Sequence, residues 1–517
     1  MNIFAKTYGT IVEYIFKRFA TIEMRGGKSV SVVNIISTIV IVVFIANVVL
    51  AGLTVFFEHR NPASTWAWLM VILFVPIVGF LCYLIFGREG KKEEMFRDKA
   101  ENDDVTYYGY LNEMEKYSVM LKAQKRAIEE RIDIIGSSHM NDLAYLHINS
   151  GNCITYDNSV KSYFDGNTKF KDLIDDIRKA KNFIHMEYYI LRDDELGRTI
   201  INELAEKAKQ GVEVRLLYDG IGNQYLKGAF FKKLTDNGGK IGIFLPPFIV
   251  RLNYRDHRKI AVIDGKIGYV GGLNIGDEYL GKVERYGKWR DTHLRIEGDA
   301  VDQLQLRFIM DWNFVSDNEI VLSDKYFPFI KNSEGNVKMQ IVSSGPDTKL
   351  QNIRNGYFKM INEAERNIYI TTPYFIPDDG ILAALKVAAL SGIDVRIIIP
   401  ANPDHPFVYW ASMSYLGELL TSGVKCYQYN DGFVHSKTVY IDGFVTSVGT
   451  ANMDIRSFDL NFETNAFIYD RDIAKEHEAQ FMKDIEKCTE ITKEWYDKRT
   501  AWFRVKESIS RLISPML

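Results

Sequence analysis

Cysteine is scarce, with four in 517 residues. Cys82, Cys153, Cys426 and Cys488 include no pair at redox-motif or metal-ligand spacing, which argues against a disulfide framework and against a zinc site. Surplus charge is missing too. Lys and Arg number 64 against 67 Asp and Glu, a formal net charge of -3 at pH 7. The chain therefore has no global attraction to nucleic acid or anionic lipid, and any such binding must rest on local charge. No H-x-x-x-H pair or cysteine cluster suggests a metal, so none is expected.

Charge is absent altogether from two stretches, SVSVVNIISTIVIVVFIANVVLAGLTVFF at 29–57 and NPASTWAWLMVILFVPIVGFLCYLIFG at 61–87. Each exceeds the about 20 helical residues that cross a bilayer. Only Glu58, His59 and Arg60 separate them, which predicts a transmembrane helical hairpin with both ends on one side. Lys6, Lys17, Arg18, Arg25 and Lys28 precede it and Arg88, Lys91, Lys92, Arg97 and Lys99 follow it, against Arg60 in the turn. That bias places both flanks, and everything after residue 88, in the cytoplasm. Residues 1–28 form a cytoplasmic segment in which 3–20 is either an interfacial helix or plain membrane-proximal packing.

What is present after the hairpin is repetition. Residues 88–149 read as linker and lead-in helices, with KAQKRAIEERIDII the clearest amphipathic run. From about 150, strands alternate with helices in the manner of an α/β fold. FIHMEYYIL and GVEVRLLYD, at 183–191 and 211–219, are echoed by IYITTPYFI and GIDVRIIIP at 368–376 and 392–400. Gly211 and Gly392 lie 181 positions apart, and His257 and His435 lie 178 apart. This offset marks a duplicated domain, 150–335 and 336–517.

The copies share one constellation. HRKIAVIDGKIGYVGGLN places His257, Lys259, Asp264, Gly272 and Asn274; HSKTVYIDGFVTSVGTAN places His435, Lys437, Asp442, Thr450 and Asn452 at identical intervals. On a strand, side chains at i and i+2 share a face, so each histidine joins its lysine while Arg258 points the other way. DGK and DGF read as tight turns, making Asp264 and Asp442 turn or scaffold residues more than proton carriers within the candidate catalytic set. Small residues after the second strand permit close backbone approach, and asparagine adds an amide donor. Donors gathered in this way suit a phosphoryl group. Two facing copies supply two histidines, one to attack phosphorus and one to protonate the departing alcohol and then deprotonate the incoming one. Asp291 in WRDTH and Glu463 in LNFETN are the carboxylates available to orient the imidazoles.

HxKxxxxD with G(G/T)xN downstream, present twice, resembles the phospholipase D superfamily. With the two N-terminal apolar segments, NPASTWAWLM, PIVGFLCYLIFG and the terminal RLISPML, the chain resembles bacterial cardiolipin synthases of the phospholipase D type. The resemblance implies two sheets flanked by helices, with the motifs meeting at the seam. It implies joining of two phosphatidylglycerol molecules with release of glycerol, without metal or other cofactor, through a phosphatidyl-histidine. His257 would be the nucleophile and His435 the acid and then base. Lys259, Lys437, Asn274 and Asn452 would bind phosphate, with Asp291 and Glu463 behind the histidines. Gly272 stands where the family often has serine and Thr450 at its counterpart; the glycine would offer only its backbone amide.

Phosphatidylglycerol and anionic membrane lipids are thus the expected partners, and nucleic acid is not, since no long basic run provides a channel. IGIFLPPFIV at 241–250 and HPFVYWASMSYLGELL at 405–420 are either lipid-facing or core. The final TAWFRVKESISRLISPML sets Trp502, Phe503, Val505, Ile509, Leu512 and Ile513 against Arg504, Lys506 and Arg511, which fits an interfacial helix or a packed one. Hydrolysis to phosphatidic acid, a tethered nuclease and an inactive membrane scaffold remain as rival readings. Transfer and hydrolysis differ in acceptor binding and water exclusion, which motif residues do not set. Oligomeric state is open.

Overall fold

A computed structural model describes residues 90–512 except 247–252, 317–318, 329–334 and 349, together with Ser514 and a few positions before residue 90. The apolar hairpin, residues 3–20 and Ile513 lie almost wholly outside the described residues. Among those described, no helix is long and apolar enough to cross a membrane. The chain divides into two compact units, Met1–Lys92 and Glu93–Leu517. In the first, Trp68, Ile72 and Tyr83 bury against one another.

In the second unit, one sheet order occurs twice. In the first half, strands Lys240–Phe244, Glu213–Asp219 and Phe183–Tyr188 run parallel. Lys259–Ile263, Ile267–Gly271, Trp289–Gly298 and Thr155–Asp165 then follow antiparallel. The second half repeats this as Lys425–Tyr429, Asp394–Pro400 and Asn367–Thr371, followed by Thr438–Ile441, Val445–Gly449, Asn461–Tyr469 and Val337–Ser344. Thr155–Asp165 pairs with Val337–Ser344, joining the sheets edge to edge. The fold is mixed α/β with a duplicated sheet.

Local chemistry explains the repeating unit. Helices Glu195–Lys209 and Asp379–Leu390 open on Asp194 and Asp378, whose carboxylates accept first-turn backbone N–H groups, the usual remedy for unpaired helix donors. The first helix buries Leu196, Ile200, Ile201, Leu204 and Ala205, one stripe at helical spacing. Both helices stop just before Gly211 and Gly392, at φ 88° and 94°, the left-handed ending that glycine adopts without a Cβ clash. The helices Gly90–Glu113 and Glu115–Glu129 are built into this unit: Phe96, Tyr110, Tyr117 and Leu121 are buried. Fully buried Lys99 meets Asp103, Asp347 and Asp311 at 2.7, 2.8 and 3.1 Å. The amphipathic run stops at Glu129, so Arg131–Ile135 lies beyond the helix.

Two further pairings cross between the halves. Arg255–Asp256 runs parallel to Asn461–Phe462, and Phe433–Val434 runs parallel to Trp289–Arg290. Each short strand ends one residue before a motif histidine, and each partner strand carries the other half's carboxylate.

Candidate active site

The motif histidines occupy breaks in the sheet, not strands: His257 lies between Arg255–Asp256 and Lys259–Ile263, and His435 between Phe433–Val434 and Thr438–Ile441. In each break, the backbone N–H reaches across the seam. His257 donates to the Phe462 carbonyl at 3.0 Å, and His435 donates to the Arg290 carbonyl at 2.7 Å. The next residue on each partner strand is the carboxylate, so the pairing crosses. His257 Nδ1 lies 2.9 and 3.0 Å from the Glu463 carboxylate oxygens, and His435 Nδ1 lies 2.8 Å from Asp291 Oδ2. Both carboxylates are fully buried and both histidines nearly so.

Taking a cation out of water is costly, and burial pushes both imidazoles down to about 4 despite the adjacent carboxylates. Each histidine also feels both motif lysines, one from each half. Burial lowers Lys259 to about 7 and Lys437 to about 8, against the pull of Glu463 and Asp291. Burial alone would raise those carboxyl groups, yet Lys437 and His435 hold Asp291 below its usual range, and His257 and Lys259 do the same for Glu463. The result is one buried cluster of two neutral imidazoles, two carboxylates and two lysines.

The two halves differ in detail. Lys259 donates to the His257 carbonyl at 2.7 Å, and among the described residues nothing hydrogen-bonds His257 Nε2. Lys437 also donates to its own histidine's carbonyl, but its ammonium lies beside the imidazole as well, 2.8 Å from His435 Nδ1 and 3.1 Å from Nε2. With Nδ1–H directed at a carboxylate, Nε2 carries the lone pair. Among the described residues that lone pair is unengaged on His257, whereas on His435 the lysine lies beside both ring nitrogens.

Other motif residues serve the scaffold. Asp264 and Asp442 stand at φ 54°, followed by Gly265 and Gly443 at 64° and 66°, the backbone of a tight hairpin turn. The Asp264 carboxylate accepts N–H bonds from Lys181, Asn182 and Phe183, and that of Asp442 from Glu365, Arg366 and Asn367. These bonds tie each hairpin to its neighbouring strand. The Gly272 amide, taken as a phosphate donor, is committed to the Thr292 carbonyl, and the Thr450 amide to the Thr464 carbonyl. A Cβ at Gly272 would stand 2.0 Å from Asp291 Oδ1, so the missing side chain makes room for the carboxylate that serves His435. At the equivalent place, the Thr450 hydroxyl accepts the Thr464 N–H at 2.9 Å and donates to the Thr464 carbonyl at 3.3 Å.

Asn274 takes the Ile190 N–H on Oδ1 and donates to the Tyr279 hydroxyl. Asn452 Oδ1 is buried without a hydrogen-bond partner among the described residues. Arg258 turns away into the core, reaching Asp311 at 2.8 Å and Thr464 at 3.1 Å. His293 is buried, neither ring nitrogen has a hydrogen-bond partner among the described residues, and burial pushes its imidazole well below the ordinary histidine value. The helix Pro406–Leu420 buries Ala411, Met413, Leu416 and Leu419 and leaves Phe407 exposed.

Two tyrosines escaped the motif reading. Tyr189 stands edge-on to His257 with ring centroids 4.9 Å apart, and Tyr374 hydrogen-bonds Asp404, whose charge acts on Lys437. The signal was available, because FIHMEYYIL and IYITTPYFI align these two tyrosines. Trp289, 5.2 Å from the His435 ring, has no such counterpart.

Residues 173–312 and 357–485 match the family model described as "Cardiolipin synthase, PLD-like domain". Cardiolipin synthase of Listeria innocua is 47% identical over 489 residues, covering 94% of this chain and all of that one. The chain belongs to the cardiolipin synthase family of phospholipase D-like proteins. Another member, from Staphylococcus aureus, is 48% identical over 489 residues, 93% of this chain and 97% of that one. Residues 33–88 match a second family model, "Phospholipase_D-nuclease N-terminal". The crystal structure of phosphatidylserine synthase from Haemophilus influenzae superposes with a TM-score of 0.56 at 15% identity, over 73% of this chain and all of that one; it shares the fold.

Proposed function

We propose that the chain is a phosphatidyltransferase that makes cardiolipin from two molecules of phosphatidylglycerol. The observation that carries this reading is the crossed pairing of His257 with Glu463 and His435 with Asp291, which builds one reaction centre from two halves. His257 Nε2, unprotonated and open, attacks the phosphorus of the first lipid, and the bond from phosphorus to the headgroup glycerol oxygen breaks. His435 gives that oxygen its proton, and glycerol leaves. The second lipid's terminal hydroxyl then gives a proton to His435 and attacks phosphorus. The phosphorus–nitrogen bond breaks, cardiolipin forms and His257 returns to its starting state.

The difference between the rings, with Lys437 beside the His435 imidazole and Lys259 bonded, among the described residues, only to the His257 carbonyl, supports this assignment of roles. The lysines neutralise the phosphate's nonbridging oxygens, and Asn274 and Asn452 supply amide donors. An anionic phosphate draws the Lys437 ammonium off His435 and adds negative charge beside the imidazole, which favours its protonated form. Glu463 and Asp291 stabilise the charged rings when they form.

With this reading go the assignments the apolar sequence supports: a cytoplasmic segment 1–28, a transmembrane hairpin at 29–87, lead-in helices at 88–149, and catalytic halves 150–335 and 336–517. The catalytic halves lie on the cytoplasmic face of a bacterial cell membrane. The match of residues 33–88 to an N-terminal family model favours the hairpin. Purified protein incubated with phosphatidylglycerol vesicles tests the activity by the mass of the products. Cardiolipin and glycerol in equal amounts are expected; phosphatidic acid without cardiolipin overturns transfer.

A further inference from the structure

The C-terminal helix Ala501–Leu512 is docked by one face only. Phe503 packs edge-on against Trp410 at 4.4 Å, Glu507 is buried and paired with Arg499 at 2.9 Å, and Ser510 is buried. Arg511 ties the helix to Glu418 of Pro406–Leu420, and Lys386 of Asp379–Leu390 meets the same carboxylate at 2.6 Å. Away from this seam the helix leaves Trp502, Val505, Ile509 and Leu512 exposed, at 65%, 42%, 52% and 75%. At 100° per residue these four fall within an arc of about 80°, and its centre lies about 145° round the helix from the docked face. A helix serving only the core would turn this stripe inward.

The exposed stripe has basic margins. Lys506 lies along one edge, its ammonium 4.7 Å from the Trp410 ring and 5.7 Å from the Trp502 ring. Arg504 lies on the other side, donating to the carbonyl of Asp497, four residues before the helix. Glu507, the helix's acidic residue, is turned into the protein and paired. Apolar ridge, tryptophan at one end, cationic edges and no exposed carboxylate on the helix form the pattern of a segment lying in the headgroup region of an anionic bilayer.

We infer that this ridge is a membrane-docking surface, occupied by anionic lipid and holding the catalytic unit against the bilayer that contains its substrate. The inference rests on the lipid-transfer reading. Trp502 and Ile509 side chains enter the acyl boundary, while Lys506 and Arg504 meet lipid phosphates. The consequence is kinetic: the ridge raises encounter with bilayer substrate without touching the reaction centre.

The test uses the full chain in nanodiscs of phosphatidylglycerol or of phosphatidylcholine, with nitroxide labels at Ile509→Cys and, as a control, Ser508→Cys. In the anionic discs the 509 label should become accessible to oxygen and shielded from a water-soluble nickel chelate, with the 508 label remaining open to the chelate. Equal chelate access at both positions in anionic discs overturns the inference, and so does dipolar broadening between 509 labels, which would mean that a second copy covers the ridge. A kinetic arm compares the wild type with Trp502→Ser/Ile509→Ser/Leu512→Ser, all exposed positions. The variant should show an apparent KM several-fold higher for vesicle phosphatidylglycerol and unchanged turnover of a short-chain, detergent-dispersed form. Unchanged vesicle KM overturns docking. Failure of the wild type itself to form cardiolipin overturns the transferase reading instead.

Discussion

Replacing Glu463 with Gln separates the roles of the two histidines. The carboxylate lies 2.9 and 3.0 Å from His257 Nδ1, in a fully buried position, and glutamine keeps its shape while removing its charge. As His257 attacks phosphorus its ring becomes cationic, so the charged hydrogen bond strengthens in the transition state. Such bonds contribute about 1.5–3 kcal/mol, which corresponds to a roughly 10- to 150-fold slower formation of the phosphatidyl-enzyme. Asp291→Asn weakens His435 and therefore the protonation of the leaving group. The assay is single-turnover release from two donors, phosphatidylglycerol and a phosphatidyl p-nitrophenol ester whose leaving group needs no proton. Glu463→Gln should slow both donors, whereas Asp291→Asn should slow phosphatidylglycerol and leave nitrophenol release near the wild-type rate. If Asp291→Asn slowed the nitrophenyl ester while Glu463→Gln left it untouched, the assignment of nucleophile to His257 would be wrong.

Asp264→Ala should lower stability and spare chemistry. It releases three backbone N–H groups and puts alanine at φ 54°, costing about 1–3 kcal/mol; Tm should fall by a few degrees, and kcat measured well below the new Tm should hold. A fall in kcat with Tm unchanged would return Asp264 to the chemistry. Phosphate affinity should weaken as pH rises: Lys259 and Lys437 are held near 7 and 8, below the ordinary lysine value, so they lose charge between pH 6.5 and 8.5. Diethyl phosphate, which stays a monoanion, should inhibit at least about tenfold less at pH 8.5 than at 6.5. Over the range from about pH 7 to 10.5 the unfolded chain binds more protons at these two sites than the folded chain, so their contribution to stability rises with pH while affinity falls. A flat inhibition profile would mean the lysines stay charged.

The duplicated motif was legible because a strand-and-turn unit keeps its intervals: His257 to Lys259 and His435 to Lys437 match residue for residue, as do the two aspartates at their turns. The same spacing could not tell that the pairings cross. Which carboxylate meets which imidazole is fixed by Arg255–Asp256 lying on Asn461–Phe462 and Phe433–Val434 lying on Trp289–Arg290, contacts between residues far apart in the chain. Nor could periodicity show that the Gly272 and Thr450 amides are spent on neighbouring carbonyls, because a backbone donor has no residue type. For the C-terminal segment the sequence named the apolar residues, but packing decided that Phe503 turns inward while Trp502 and Ile509 face out.

In the proposed reaction one phosphate is worked on from both halves, with His257 making the covalent bond and His435 moving protons. The most direct measurement is acid-free quenching of His435→Ala and His257→Ala variants with the nitrophenyl donor, followed by peptide mass mapping. A phosphatidyl adduct is expected on His257 in the His435→Ala protein and none in the His257→Ala protein. An adduct on His435 in the His257→Ala protein, with His435→Ala empty, would contradict it.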